Sequence, residues 1–426
     1  MSRLIKGIES VSWSLDRRTL LAGLGATLAT CLLPRNAHAA VPALVASRAA
    51  PAGAPKFSGD WPGPILRAKQ GAPFEIEIDN RFDRPFSVHW QGVRLDNASD
   101  GAAGLCDTPI PPGARRTIRF VPPDAGTYIY RADTELLTDL PGLASLSGVL
   151  VVDEDAPRSI RQEVLAVSAD PWRLASPETG DAQAPRARTT VNGAAETEIA
   201  LAAGERVLLR IGNIGVHSPQ LLRFSGVMPS VVAIDGQPCP AFPPLRGRIV
   251  LPPGGRVDLE IVLAEGEGPF GIFDDFDRGR LLARIVKAES ATAVPEGGEA
   301  IAENPRLPRE IPLENAARAS LALGSPGGGR TGPALLTVER GRTVVLAFQN
   351  NTGAVFAVHW HGHAARLLDA MDDGWKPWWH DSLIVPPNMT MRIALVADNP
   401  GRWAIDAMPL AGSQGAEPTA SWFEVT

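Results

Sequence analysis

Two segments of this chain share the pattern Phe-x-Val-His-Trp-x-Gly. One is Phe86-Ser87-Val88-His89-Trp90-Gln91-Gly92 and the other is Phe356-Ala357-Val358-His359-Trp360-His361-Gly362. Alternate residues of an extended chain face the same side, so His-x-His on a strand aims two imidazoles at one point. That is a transition-metal ligand spacing. The second segment offers His359 and His361; the first offers His89 alone, because Gln91 takes the matching place. His363 stands one alternate position beyond His361 and reads as a packing or supporting residue rather than a ligand. His217 and His380 stand alone in loop-like contexts. The segment Asp372-Asp373-Gly374-Trp375-Lys376-Pro377-Trp378-Trp379-His380 holds three tryptophans within five residues. Trp375, Trp378 and Trp379 read either as a face for an apolar group or protein partner, or as rings that cover one end of the fold.

The elements that position these residues are short strands. The chain has 426 residues, 39 prolines and 42 glycines, and no long amphipathic helical pattern. Its length suits two to four domains. The N-terminal segment reads as an export signal over 1–39: a twin-arginine pattern at Arg17-Arg18, an apolar run from Leu20 to Leu33, and Ala37-His38-Ala39 before the expected cleavage. The run is shorter than the roughly 20 residues that span a bilayer, so a transmembrane anchor is not expected. This predicts a periplasmic protein. Cleavage removes five of 41 basic and two of 47 acidic residues, leaving a net charge of −9. An acidic chain without a long basic run argues against a nucleic-acid partner. The mature chain keeps Cys106 and Cys239, which either form one disulfide in an oxidising compartment or stay apart as two thiols.

The histidine phrases belong to a larger repeat. Gly71 and Gly341 each open a strand-like segment, and His89 and His359 each follow 18 residues later. Each copy then passes an Asp-x-x-Ile turn with paired prolines (Asp107 to Gly113; Asp381 to Asn388), an alternating strand, and a Gly-x-aromatic strand that begins at Gly126 or Gly401. A third copy opens at Gly204 and runs through Pro252-Pro253-Gly254-Gly255-Arg256, with no His-x-His. Three similar all-β units follow, divided as 40–156, 157–290 and 313–426, with an Ala/Glu/Gly/Pro-rich linker over 291–312. The run Gly324 to Arg330 lacks Gly-Lys-Ser/Thr and reads as a loop, not a phosphate cradle.

In this arrangement the chain resembles the three-domain multicopper oxidases. The likeness spans nearly the whole mature chain and includes Gly59-Asp60-Trp61-Pro62-Gly63-Pro64, Leu146 to Glu154, and Ile234-Asp235-Gly236-Gln237. It implies three cupredoxin-like Greek-key β-sandwich domains. It also implies four copper-binding motifs, from which this chain departs. Where the family has His-Trp-His-Gly, this chain has His89-Trp90-Gln91-Gly92; where it has His-x-His after a Tyr strand, Arg131-Ala132-Asp133 follows Tyr130. The third motif lacks its leading His, replaced by Phe356, and the His-Cys-His of the fourth is Asp406-Ala407-Met408. A blue copper needs a thiolate and imidazoles, and Ala407 supplies no thiolate. Of the six paired-copper positions only His361 is a histidine, while both type 2 positions, His89 and His359, are kept.

Two expectations follow. One is an exported protein with a mononuclear copper site, zinc being the alternative, held by His89, His359 and His361 with Asp133 and Asp406 as extra ligands. Any oxidoreductase activity would then run without the multicopper electron path. The other is a metal-free scaffold with a protein partner in the cell envelope. It is similar to the copper-free, twin-arginine-exported cell-division protein of the family, with Arg131 paired to Asp406 among remnant histidines.

Overall fold

The computed structural model describes residues 42–48, 55–58, 62–133, 146–155, 160–169, 189–263, 270–289, 303–325, 328–368, 378–413 and 415–426. The expected export signal, most of the expected linker, and Trp375 lie outside these residues. Pro42–Thr426 forms one compact unit. Among the described residues no helix is long and apolar enough to cross a membrane.

Six sheets fall into three sandwiches in chain order, so the fold is three cupredoxin-like β-sandwich domains. Each repeat begins the same way. Its first strand runs parallel to the one after the opening glycine: Ala43–Arg48 with Phe74–Asn80, Arg161–Ala169 with Arg206–Asn213, and Ala317–Ala322 with Thr343–Gln349. The next partner is antiparallel: Arg115–Phe120, Arg256–Leu263 and Thr390–Val396. The opening glycines share one cause. Gly71, Gly204 and Gly341 have φ of 70°, 76° and 85°, a left-handed turn that a side chain would strain.

In the first sandwich, the strand Ser87–Gln91 pairs with Gly126–Asp133. In the third, Phe356–Trp360 pairs with Gly401–Pro409. Val88 and Trp90 enter the first core, with Trp90 edge-on to Phe74 at 5.8 Å. Val358 and Trp360 enter the third core beside Phe348 and Trp403. The strand period of two therefore turns His89, Gln91 and His359 away from their own cores. Burying each indole stabilises its sandwich by roughly 2–3 kcal/mol, so the same residues that fix each core also fix the direction of the histidines.

Buried arginines tie the sandwiches together. Arg94 grips Asp124 and reaches Asp398 of the third sandwich at 3.1 Å. Arg210 joins Asp258 and Thr127 across the first and second. Arg256 bonds Asp381 across the second and third.

Candidate metal centre

His89, His359 and His361 each bring a ligand nitrogen to within 4.8 Å of the others. The register explains why. His89 lies opposite Arg131, and His359 lies opposite Asp406. His361 sits just past its strand, held by its backbone N–H to the Ala404 carbonyl at 3.0 Å.

The protonation pattern of His89 and His359 follows from their partners. His89 Nδ1 donates to the Asp100 carbonyl at 2.9 Å, and His359 Nδ1 donates to the Asp381 carbonyl at 2.7 Å. A carbonyl only accepts, so both protons sit on Nδ1 and both Nε2 atoms carry lone pairs when the rings are neutral. Those two Nε2 atoms are 2.9 Å apart. Facing lone pairs repel unless a cation stands between them, either a proton or a metal ion. Two bonds of about 2.0–2.1 Å to one ion span that separation. Burial lowers the His359 pKa to about 4, aided by His361 and His89 and opposed by Asp381, so His359 is neutral at neutral pH.

His361 is in a different state. Its Nδ1 lies 2.7 Å from Asp100 Oδ2, its Nε2 lies 3.3 Å from Asp406 Oδ2, and its ring stacks on His89 at 3.7 Å. Burial pushes its pKa down, but Asp100 and Asp406 outweigh that and raise it to about 9. It is an imidazolium at neutral pH and offers a lone pair only after losing a proton. Asp100, despite burial, is held well below the usual carboxylate range by His361 and His89.

Two expectations about the surrounding carboxylates need correction. Asp133 is not free to ligate: Arg330 binds both its oxygens, at 2.5 and 3.1 Å, and Ala103 N–H donates to it as well. Asp406 pairs with Arg330 at 2.6 Å, not with Arg131. Its Oδ2 is shared with His361, and its Oδ1 has no hydrogen-bond partner among the described residues. Arg330 comes from the glycine-rich loop, whose residue spacing gave no sign of this role. Arg131 stays beside the centre with Nε and Nη2 buried and unpartnered. Burial and the like charge of Arg256 lower its pKa to about 10, against Asp133, Asp381 and Asp406. Gln91 turns to the second sandwich and donates to the Gly254 carbonyl at 3.3 Å.

The other singled-out residues have structural partners. Trp378 stacks on Phe242 of the second sandwich at 4.9 Å, and Trp379 is buried with the Arg366 guanidinium 4.6 Å from its ring centre. Both rings make intramolecular contacts, Trp379 buried and Trp378 half-buried, in keeping with their reading as rings that cover one end of the fold. His363 is buried edge-on against Trp403 at 5.4 Å. His217 accepts from Ala411 N–H through its carbonyl, and His380 Nδ1 lies 3.4 Å from Asp235. Cys106 and Cys239 are both free thiols. Phe356 and Ala407 are fully buried in the third apolar core.

Two segments, residues 46–157 and 304–407, match family profiles described as multicopper oxidase. The chain belongs to the multicopper oxidase family. It is 25% identical over 408 residues to the multicopper oxidase MmcO of Mycobacterium tuberculosis, covering 82% of this chain and 79% of that protein. A segment of 110 residues is 33% identical to a copper resistance protein A homolog of Pseudomonas syringae pv. tomato, covering 25% of this chain and 18% of that protein. Among solved structures, Lac15 from a marine microbial metagenome superposes with a TM-score of 0.73 at 28% identity, covering 91% of this chain and 100% of that one. The multi-copper oxidase of Pseudomonas thermotolerans gives the same TM-score at 24% identity over 90% and 98% of the two chains, a likeness of fold. This multicopper oxidase-family chain thus carries the family's fold around a centre of three histidines, two arginines and three aspartates.

Proposed function

We propose that this protein is an exported, periplasmic member of the multicopper oxidase family that holds a single metal ion between its first and third sandwiches. The observation that carries this reading is the pair of Nε2 atoms, 2.9 Å apart, on two rings whose Nδ1–H groups are each donated to a carbonyl. His89 and His359 would hold the ion, and His361 would join as a third ligand on releasing its proton. Copper bound there supplies a one-electron redox couple, and zinc, the alternative, supplies Lewis acidity alone.

The same reading excludes laccase-type catalysis. A blue copper needs a thiolate, and Ala407 and Phe356 are apolar core residues. A second and third ion would need ligands that this chain has exchanged for Gln91, Arg131, Asp133, Asp406 and Met408. Arg330 adds a fixed positive charge against both of those carboxylates.

The competing reading, a metal-free envelope scaffold, draws support from the closed network of Arg330, Asp133, Asp406 and His361. Metal analysis of full-length protein exported by a bacterial host separates the two. The metal reading expects about one ion per chain, lost in His89→Ala and in His359→Ala. Equal, near-zero metal in all three proteins would leave the scaffold reading standing alone.

A further inference from the structure

The second sandwich contributes no histidine to the centre, yet one of its side chains touches the parts that aim the histidine pair. Arg256 is fully buried. A guanidinium has five N–H groups, and here each has an acceptor. Nε donates to the Thr127 carbonyl at 3.2 Å. Nη1 donates to the Gly254 carbonyl at 3.0 Å and to Asp381 Oδ1 at 2.6 Å. Nη2 donates to the Asp235 carbonyl at 2.8 Å and to Asp381 Oδ2 at 2.5 Å. One side chain therefore joins all three sandwiches, and its forked grip ends on Asp381.

Asp381 is the residue whose carbonyl takes the His359 Nδ1 proton. It is pinned at three points. Its carboxylate is held by Arg256, its N–H reaches Asp235 Oδ2 at 3.3 Å, and its carbonyl also accepts from Trp360 N–H at 3.2 Å. Its carboxylate also lies 3.6 Å from His359 Nδ1, a competing acceptor that the guanidinium keeps engaged. The glycine of the first histidine phrase makes room for this pair. Gly92 has φ of 86°, and a Cβ there would stand 2.1 Å from Arg256 Nη2 and 2.4 Å from Asp381 Oδ2.

We infer that Arg256 is a positioning residue for the metal centre: through Asp381 it fixes which acceptor takes the His359 Nδ1 proton and so the aim of that ring, so that the sandwich without ligands controls how tightly the ion is held. This rests on the reading of His89 and His359 as a metal pair. Partners that orient a ligating histidine carry about 10- to 100-fold in metal affinity.

Arg210 provides a matched control. It is equally buried and bridges the first and second sandwiches through Asp258 and Thr127, but makes no contact with the histidines. The test compares zinc affinity of the full-length protein with Arg256→Met, Arg256→Lys, Gly92→Ala and Arg210→Met, and reads the His359 Nδ1–H hydrogen bond in metal-free protein by imidazole nitrogen NMR. Arg256→Met and Gly92→Ala are expected to weaken zinc binding about 10- to 100-fold. Both should also move the His359 Nδ1–H from the Asp381 carbonyl toward its carboxylate, shifting the Nδ1 nitrogen resonance. Arg256→Lys keeps the charge without the fork and is expected to recover part of the loss. Arg210→Met is expected to lower the unfolding temperature and leave zinc affinity and the Nδ1 hydrogen bond unchanged. Equal affinity losses in Arg256→Met and Arg210→Met, or an unaltered affinity and Nδ1 hydrogen bond in Arg256→Met and Gly92→Ala, would overturn the inference. Wild-type protein that binds no zinc would overturn the metal reading itself, while the Nδ1 comparison would still decide the role of Arg256.

Discussion

At the scale of single residues, the three histidines differ in state although they share a motif. His89 and His359 each place their Nδ1–H on a backbone carbonyl, whereas His361 is held as a cation between Asp100 and Asp406. The sequence made the three ligand candidates legible, because strand alternation alone puts His359 and His361 on one side. It did not make their protonation legible. The orienting groups are backbone carbonyls of Asp100 and Asp381, 11 and 22 residues away along the chain, and a carbonyl leaves no mark in a sequence. The states carry a pH dependence of metal-free stability. His361 is raised from 6.5 to about 9, so its ion pairs contribute fully below 6.5 and are lost as pH rises through about 9. His359 is lowered from 6.5 to about 4, so its contribution is complete above 6.5 and is lost as pH falls through about 4. Thermal unfolding of metal-free protein is therefore expected to peak near neutral pH. His361→Gln should remove the alkaline decline and keep the acidic one; an alkaline decline unchanged in that variant would refute the assigned charge.

At the scale of elements, the glycine-rich loop before Arg330 is the part that sequence reading treated as a plain connection. Its Arg330 saturates Asp133 and is shared with Asp406, two residues from different sandwiches. Nothing in a Gly-Gly-Gly-Arg run says where its last side chain goes; the contact spans 197 residues to Asp133 and 76 to Asp406. Removing one partner of a buried ion pair leaves an uncompensated charge and costs about 3–5 kcal/mol. Arg330→Met is expected to destabilise the protein by about that amount in urea unfolding. Adding Asp133→Asn to that variant should recover part of the loss; a loss under about 1 kcal/mol, the scale of an exposed pair, would mean that Arg330 is not the internal counter-ion. By contrast, the strands that carry His89 and His359 were legible from the repeat. Equal offsets from Gly71 and Gly341, both in left-handed turns, gave the two segments the same place in their sandwiches.

At the scale of the whole molecule, three repeated sandwiches were legible because each repeat carries the same turn glycine, proline turn and alternating strand. The interfaces were not, since they are made by Arg94 reaching Asp398, Arg210 reaching Thr127 and Arg256 reaching Asp381, each far along the chain. The tryptophan-rich loop illustrates the same limit: Trp378 packs on Phe242 of another sandwich, a contact no local pattern announces. The architecture is that of the multicopper oxidases; on the reading proposed above, the buried Ala407 stands where that chemistry would need a thiolate. Copper-loaded protein is accordingly expected to show no intense thiolate-to-copper visible band and no laccase-type oxidase turnover; either signal would contradict the account. The central claim concerns one ion between two nitrogens, and its most direct measurement is anomalous scattering from crystals grown with zinc. The account predicts one peak per chain, bonded to Nε2 of His89 and of His359 at about 2.0–2.1 Å. The absence of any peak there, with the two rings joined only by a proton, would contradict it.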